Sequence, residues 1–171
     1  PLFKIPFPEE AQKVETKLRE LGMHELVDNF IVSMNRGAEQ AVSKAAPIFV
    51  DAITSMTFED AKNILKGEDN AATNYFKSKT SGALFNLFKP VIQTALDQVN
   101  ATKYWSDITS TYNKIPFVTK VETDLAKYVT DKAMGALFTK IADEEKKIRT
   151  DPAARVSEIL KKVFNPNAII Q

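Results

Sequence analysis

The chain of 171 residues contains no cysteine. This excludes disulfides, thiol nucleophiles and Cys-ligated zinc or iron–sulfur sites, and it fits either redox compartment. Glycine occurs only five times, with no Gly-Gly or Asn-Gly pair to turn a hairpin and no convincing alternation of apolar and polar residues. There is one histidine, His24, and no excess of either charge: 23 Lys and Arg stand against 22 Asp and Glu. Nucleic-acid binding usually shows a basic excess or stripe, so no nucleic-acid partner is expected. No apolar run approaches the 18 residues a spanning helix needs, so no transmembrane segment is expected. The opening PLFKIPFPEE has no initiator Met, basic n-region or apolar h-region, which suggests a processed or trimmed chain.

What is present is helical periodicity. Apolar residues recur at spacings of three and four nearly throughout, which predicts an all-α, single-domain multi-helix bundle with kinked long helices and no sheet. The expected organisation is an extended apolar arm at 1–8, one helical domain at 9–165 and a short tail at 166–171. A first helix follows Pro8, with stripe Ala11, Val14, Leu18 and Leu21, and Gly22 stops it. A second runs from about Met23 toward Met56 with Val27, Phe30, Ile31, Met34, Ala38, Ala41 and Ala45 on one face. Because Ile48, Phe49, Ala52 and Met56 keep that phase past Pro47, a kinked helix or two abutting ones are expected there. Gly37 and the neighbouring alanines leave a flat surface for close approach of another helix.

The turn GEDN at 67–70 separates two further helices. Thr57 and Asp60 form a near match to the capping box, Gly67 ends that short helix, and Asp69 or Asn70 is expected to cap the next. A calcium loop fails at its third, sixth and twelfth positions, counted from Asp69, and the glycines and lysine of a phosphate loop are missing. The turn therefore reads as structural. A long helix with a bend at Pro90 follows toward Asn100, then a shorter one with Tyr104, Trp105, Ile108 and Tyr112. After an irregular link, the next helix carries Leu125, Val129, Ala133, Leu137, Ile141 and Ile148 on one face. Its outer face is expected to hold the pairs Asp143–Lys147 and Glu145–Arg149. Asp151 and Pro152 mark the N-cap and first position of a last helix, burying Val156, Ile159, Leu160, Val163 and Phe164.

Candidate chemistry is sparse. His24 and Asp28 have i, i+4 spacing, but two ligands do not make a metal site and no HExxH or GxSxG pattern exists. Asn35 and Arg36 form the most notable polar spot, with Arg36 expected to face solvent or a partner. Phe76, Phe85, Phe88, Tyr104 and Trp105 read as core rather than a ligand box. No catalytic, cofactor-binding or metal-ligating residue is assigned, and no cofactor is expected.

Four strings together carry a resemblance: SMNRGAEQA at 33–41, PIFVDAI at 47–53, ILKGEDNAATNYFKSKT at 64–80, and IADEEKKIRTDPAAR at 141–155 leading to ILKKVF at 159–164. In these the chain resembles the bacterial domain-of-unknown-function family numbered 4197, over nearly its whole length. The resemblance implies a helical bacterial protein, often made with an export leader or lipoprotein signal, and hence a periplasmic or envelope-associated location. It carries no activity and no catalytic residues. The expected function is a non-enzymatic helical protein of the cell envelope that binds or scaffolds a partner. The alternative is a carrier or weak enzyme using an apolar pocket between kinked helices. The partner is then an unknown protein or a small apolar ligand, and a homodimer is left open.

The apolar arm, with Leu2, Phe3, Ile5 and Phe7 between Pro1, Pro6 and Pro8, cannot be helical and is too apolar to trail in water. It is expected to lie in a groove, with Lys4 outward. The groove belongs to its own bundle, as a strap or a removable latch, or to a second copy as a swapped arm.

Overall fold

The computed structural model describes residues 4–9, 12–114, 116, 117, 120, 122–157 and 161. Among them are seven α-helices and no strand: α1 Gln12–Glu20, α2 His24–Val42, α3 Ala46–Thr54, α4 Phe58–Lys66, α5 Ala71–Asp97, α6 Ala101–Tyr112 and α7 Leu125–Thr150. A 3-10 turn, Pro152–Ala154, follows α7. The fold is all-α, as the periodicity predicts. Leu2, Phe3, Ala11, the side chains of Ile108 and Tyr112, most of the expected last helix and the 166–171 tail lie outside the described residues. Two compact units divide the chain, one of residues 1–48 and 82–136, the other of 49–81 and 137–171.

The first unit is built on α2. Val27, Ile31, Met34, Ala38 and Ala41 are buried on one face, as their spacing requires. Leu84, Phe88, Ile92 and Leu96 of α5, Trp105 of α6, and Leu125, Val129 and Ala133 of α7 complete this core. Gly37 lets α2 and α5 approach closely, since a Cβ there would stand 3.1 Å from the Cβ of Ala95 and 3.5 Å from the Cα of Ile92. Gly22 terminates α1 in the left-handed region, at φ +79°. Its N–H donates to the carbonyl of Arg19 and that of Met23 to Leu18, each at 2.9 Å, which is the paired pattern of a Schellman end. Arg19 then joins Glu15 to Asp28 on α2, at 3.0 and 2.9 Å. Leu21, expected on the buried stripe, is exposed because it falls in that turn.

At Pro47 the second of the two expected alternatives holds. The break comes at Ser43–Ala45, where i→i−3 bonds close α2, and Pro47 sits in the first turn of α3, where its missing N–H costs nothing. Helix α5 instead continues through Pro90, and Asn100, at φ 54°, turns the chain into α6.

In the second unit, Phe49 of α3 meets Phe76 of α5 edge-on at 5.6 Å and Phe138 of α7 at 6.4 Å. The Tyr75 hydroxyl donates to the Ala52 carbonyl at 3.0 Å. The capping box at α4 is complete: the Asp60 N–H donates to Thr57 Oγ1, and the Thr57 N–H returns to the Asp60 carboxylate, both at 3.1 Å. The Thr57 hydroxyl, and then its N–H, hold the Asp60 carboxyl below the usual range. Asp151 accepts from the Ala153 N–H at 2.9 Å with Pro152 behind it, so the predicted cap is present on a 3-10 turn. Val156, expected inside, is exposed.

Two glycines separate space from propensity. Gly37→Val should destabilise the protein by about 1–3 kcal/mol through overpacking against α5. Gly82→Ala, in a helix with nothing within 4 Å of the new methyl, should stabilise it by about 0.5–1 kcal/mol. Urea denaturation of both variants checks the pair, and a neutral Gly37→Val would contradict the close approach.

Candidate functional site

Three places concentrate polar chemistry or concavity, beginning with the GEDN turn. Gly67 ends α4 with extended backbone, φ −82° and ψ −177°. Its lack of a side chain is sterically required, because a Cβ would lie 2.6 Å from the Ala71 Cβ and 2.7 Å from the Asn63 carbonyl oxygen. The tight turn leaves the first amides of α5 without partners in their own helix. Asn70 stands at the expected N-cap position, its carbonyl accepting the Asn74 N–H at 2.9 Å, but the side chain that takes the free amides comes from elsewhere. Glu145, 73 residues away on α7, accepts from the Ala72 N–H at 2.9 Å, the Thr73 N–H at 2.8 Å and the Thr73 hydroxyl at 2.7 Å.

Arg149, one turn on, completes the junction. Its guanidinium donates to Glu145 from Nε at 3.0 Å and from Nη2 at 2.7 Å, and Nη2 also donates to the Ile64 carbonyl in the last turn of α4 at 2.7 Å. An anion thus sits at the positive start of one helix and a cation at the negative end of another. The pair expected on the outer face of α7 is in fact inside: side-chain exposure is 8% for Glu145 and 11% for Arg149. Lys147 meets Glu144 rather than Asp143, at 3.0 Å. Burial pushes the Glu145 carboxyl up, but the Thr73 hydroxyl, the Ala72 and Thr73 amides and Arg149 outweigh it, and the group lies below the usual carboxylate range. Arg155 closes the far end, donating to the carbonyls of Ile148 and Arg149, each at 2.9 Å. With five donors on two oxygens, Glu145 has no capacity left for a substrate or an ion. The junction is an anchor.

The second place is the arm. Asn35 of α2 receives the Ile5 N–H on Oδ1 at 2.8 Å and donates from Nδ2 to the Ile5 carbonyl at 3.0 Å and to the Ile31 carbonyl at 2.8 Å. From Lys4 to Phe7 the residues alternate as in an extended strand, Ile5 and Phe7 buried and Lys4 and Pro6 facing out, and Pro8 is buried as well. Phe7 lies 5.0 Å from the Phe30 ring and 6.0 Å from Trp105. The groove is therefore in its own unit, and Lys4 points outward as expected. Arg36 beside it is exposed.

The third place is an open cleft of about 320 Å³ lined by Phe85, Asn86, Lys89, Pro90 and Gln93 of α5. Lys89 is already paired with Asp124 at 2.6 Å, and Gln93 donates to Asp97 and Thr102. Tyr104, read as core, is half exposed. His24 is exposed at the start of α2, and Asp28 is engaged by Arg19 rather than by it. Among the described residues no cluster of three metal-ligating side chains occurs.

The family described as "Protein of unknown function (DUF4197)" matches residues 1–165, and the chain belongs to it. No curated protein and no solved structure matches. Two of the strings that carry the resemblance, those at 64–80 and 141–155, meet at the Glu145–Arg149 junction. Its acidic partner was legible only as one member of a helical ion pair, since nothing local marks a cap supplied from so far along the chain.

Glu145→Ala strands a buried guanidinium and two helix amides, and should cost about 3–5 kcal/mol at neutral pH. Because the folded pKa is depressed, this contribution is full above the ordinary carboxylate pKa of about 4.3 and is lost as pH falls through the lower folded value. Denaturation of wild type and variant at pH 7 and in acid should show the gap narrowing; a constant gap would mean the carboxylate charge is not what matters.

Proposed function

We propose that the protein, as a member of this family, is a non-enzymatic helical protein of the bacterial cell envelope that binds or scaffolds a partner. The observation that carries the reading is a set of exposed apolar side chains on two helices of the second unit. Val50 and Ile53 on α3 are 54% and 52% exposed, and Phe58 and Leu65 on α4 are 87% and 45% exposed. Val50 and Ile53 are one turn apart, and Phe58 and Leu65 two turns apart, so on each helix the two share a face. Exposed apolar faces of this kind mark contact surfaces. Beside them Glu59 and Lys62 compensate one another at 3.6 Å. A partner suited to these faces is a protein helix with an apolar face. The envelope location rests on the family resemblance alone.

The polar side chains with the most contacts support the same direction. Glu145 and Arg149 are spent on one another, on Thr73 and on helix-end backbone, and Asn35 is spent on backbone groups. In the α5 cleft Lys89 is paired with Asp124, and Gln93 with Asp97 and Thr102. A carrier would want such groups convergent and free toward its pocket.

Phe58→Ser combined with Ile53→Ser should leave stability within about 0.5 kcal/mol, since both side chains are exposed. Native mass spectrometry of the protein from its native host should show a stoichiometric protein partner on wild type and none on the double variant. Retention of the partner by the variant, or a wild type carrying a small molecule instead, would overturn the reading.

A further inference from the structure

The arm is seated as a peptide ligand is seated in a receptor. Asn35 pairs with both the N–H and the carbonyl of one residue, Ile5, which is how an extended peptide adds to a strand edge; such pairing reads backbone and is indifferent to the residue that supplies it. Selectivity comes from the inward side chains of Ile5 and Phe7, with Pro8 also buried. Ile5 is 4% exposed and Phe7 6%; the intervening Pro6 faces outward and holds the segment extended. The pattern accepted is apolar, proline, aromatic.

The receiving groups do not need the arm to hold their positions. Nδ2 of Asn35 is also bound to the Ile31 carbonyl of its own helix, at 2.8 Å. The indole N–H of Trp105 donates to the Glu122 carbonyl at 2.9 Å. Phe30 and Trp105 contact one another directly, 6.1 Å between ring centres. Each partner of the arm is thus fixed by a contact that survives the arm's departure, the condition for a preformed site that binds without paying to reorganise. An ordinary core segment would leave its neighbours unsupported when removed. The arm also precedes α1 in the chain, and among the described residues its hydrogen bonds to the unit are the two that Asn35 makes with Ile5.

We propose that the cleft formed by Phe30, Asn35 and Trp105 is a recognition site for an extended apolar–Pro–aromatic segment of a partner protein, and that residues 4–8 occupy it as a built-in competitor. A tethered segment acts at an effective concentration in the millimolar range, so a partner segment binds only when it is presented at high local concentration or when the arm is released. This inference concerns the first unit and is independent of the exposed side chains of α3 and α4.

The single tryptophan of the chain is Trp105, so its emission reports the occupancy of the cleft. In full-length Ile5→Ser/Phe7→Ser the arm is released; the helical circular dichroism should persist and Trp105 emission should shift to the red. The synthetic peptide LFKIPFPEE should reverse that shift saturably, with a Kd on the order of 10 μM. The same peptide should bind wild type at least about 100-fold more weakly, as competition with a tethered arm requires. Adding Asn35→Ala to the released variant should weaken peptide binding about 5- to 30-fold, for the two backbone bonds it removes. A folded variant whose emission the peptide leaves unchanged would overturn the proposal. Should the variant not fold, amide exchange of wild type decides. Release of the Ile5 amide well below the global unfolding free energy supports a displaceable arm, and release only with global unfolding refutes it. A wild-type dimer that the peptide converts to monomer would also overturn it, because the occupant would then be a second copy's arm.

Discussion

A carboxylate buried at 8% exposure must be fully hydrogen-bonded or it will not stay charged, and that requirement organises the second unit. Glu145 is satisfied only where two free amides of a helix start and a guanidinium converge on it. The helix start exists because Gly67 lets the chain turn within a few residues of the end of α4. The guanidinium is held in turn by the carbonyl of Ile64, an orphan acceptor of the helix just ended. Each group therefore closes a deficit created by another: the turn exposes one helix end and one helix beginning, and an i, i+4 pair on α7 answers both. The wide separation in sequence means the junction forms only when α4, α5 and α7 are all in place.

The first unit uses a neutral version of the same device. Asn35 is one side chain with a donor and an acceptor on a planar amide, and it satisfies both backbone groups of Ile5. A chain entering as Lys-Ile-Pro-Phe-Pro cannot pair those groups in a helix, and burying them unpaired would cost more than the apolar contacts of Ile5 and Phe7 return. The amide removes that obstacle. The difference in strength matters: a charged anchor with five donors fixes helices permanently, whereas two neutral bonds and two apolar side chains suit a segment that can leave.

This division also separates structure from candidate function. The residues richest in hydrogen bonds are those least available to a ligand, because their lone pairs and protons are used. Exposed apolar side chains on α3 and α4, and the groups that receive the arm, have capacity left for a partner, and this is why the function proposed above is binding rather than catalysis.

Local chemistry in the sequence was sufficient for much of the fold. Thr57 with Asp60, Gly22 after Leu21, Asp151 before Pro152 and the stripes of α2 and α7 act over one or two turns, so each could be read where it stands. Gly37 beside its alanines likewise announced a close helix contact, since absence of volume is a local property. The burial of Ile5 and Phe7 was legible, because the prolines around them forbid a helix and the side chains are too apolar for water. The tertiary structure alone decided which groups are consumed. Asp69 and Asn70 are sound caps by residue type, yet Glu145 takes the amides because a buried carboxylate needs them and an exposed Asp does not. The same i, i+4 spacing describes a solvated pair and a buried one, and periodicity on α7 cannot distinguish them when the inward charge is neutralised by a helix end far along the chain. Spacing fixes which side chains share a face; only packing decides what that face meets.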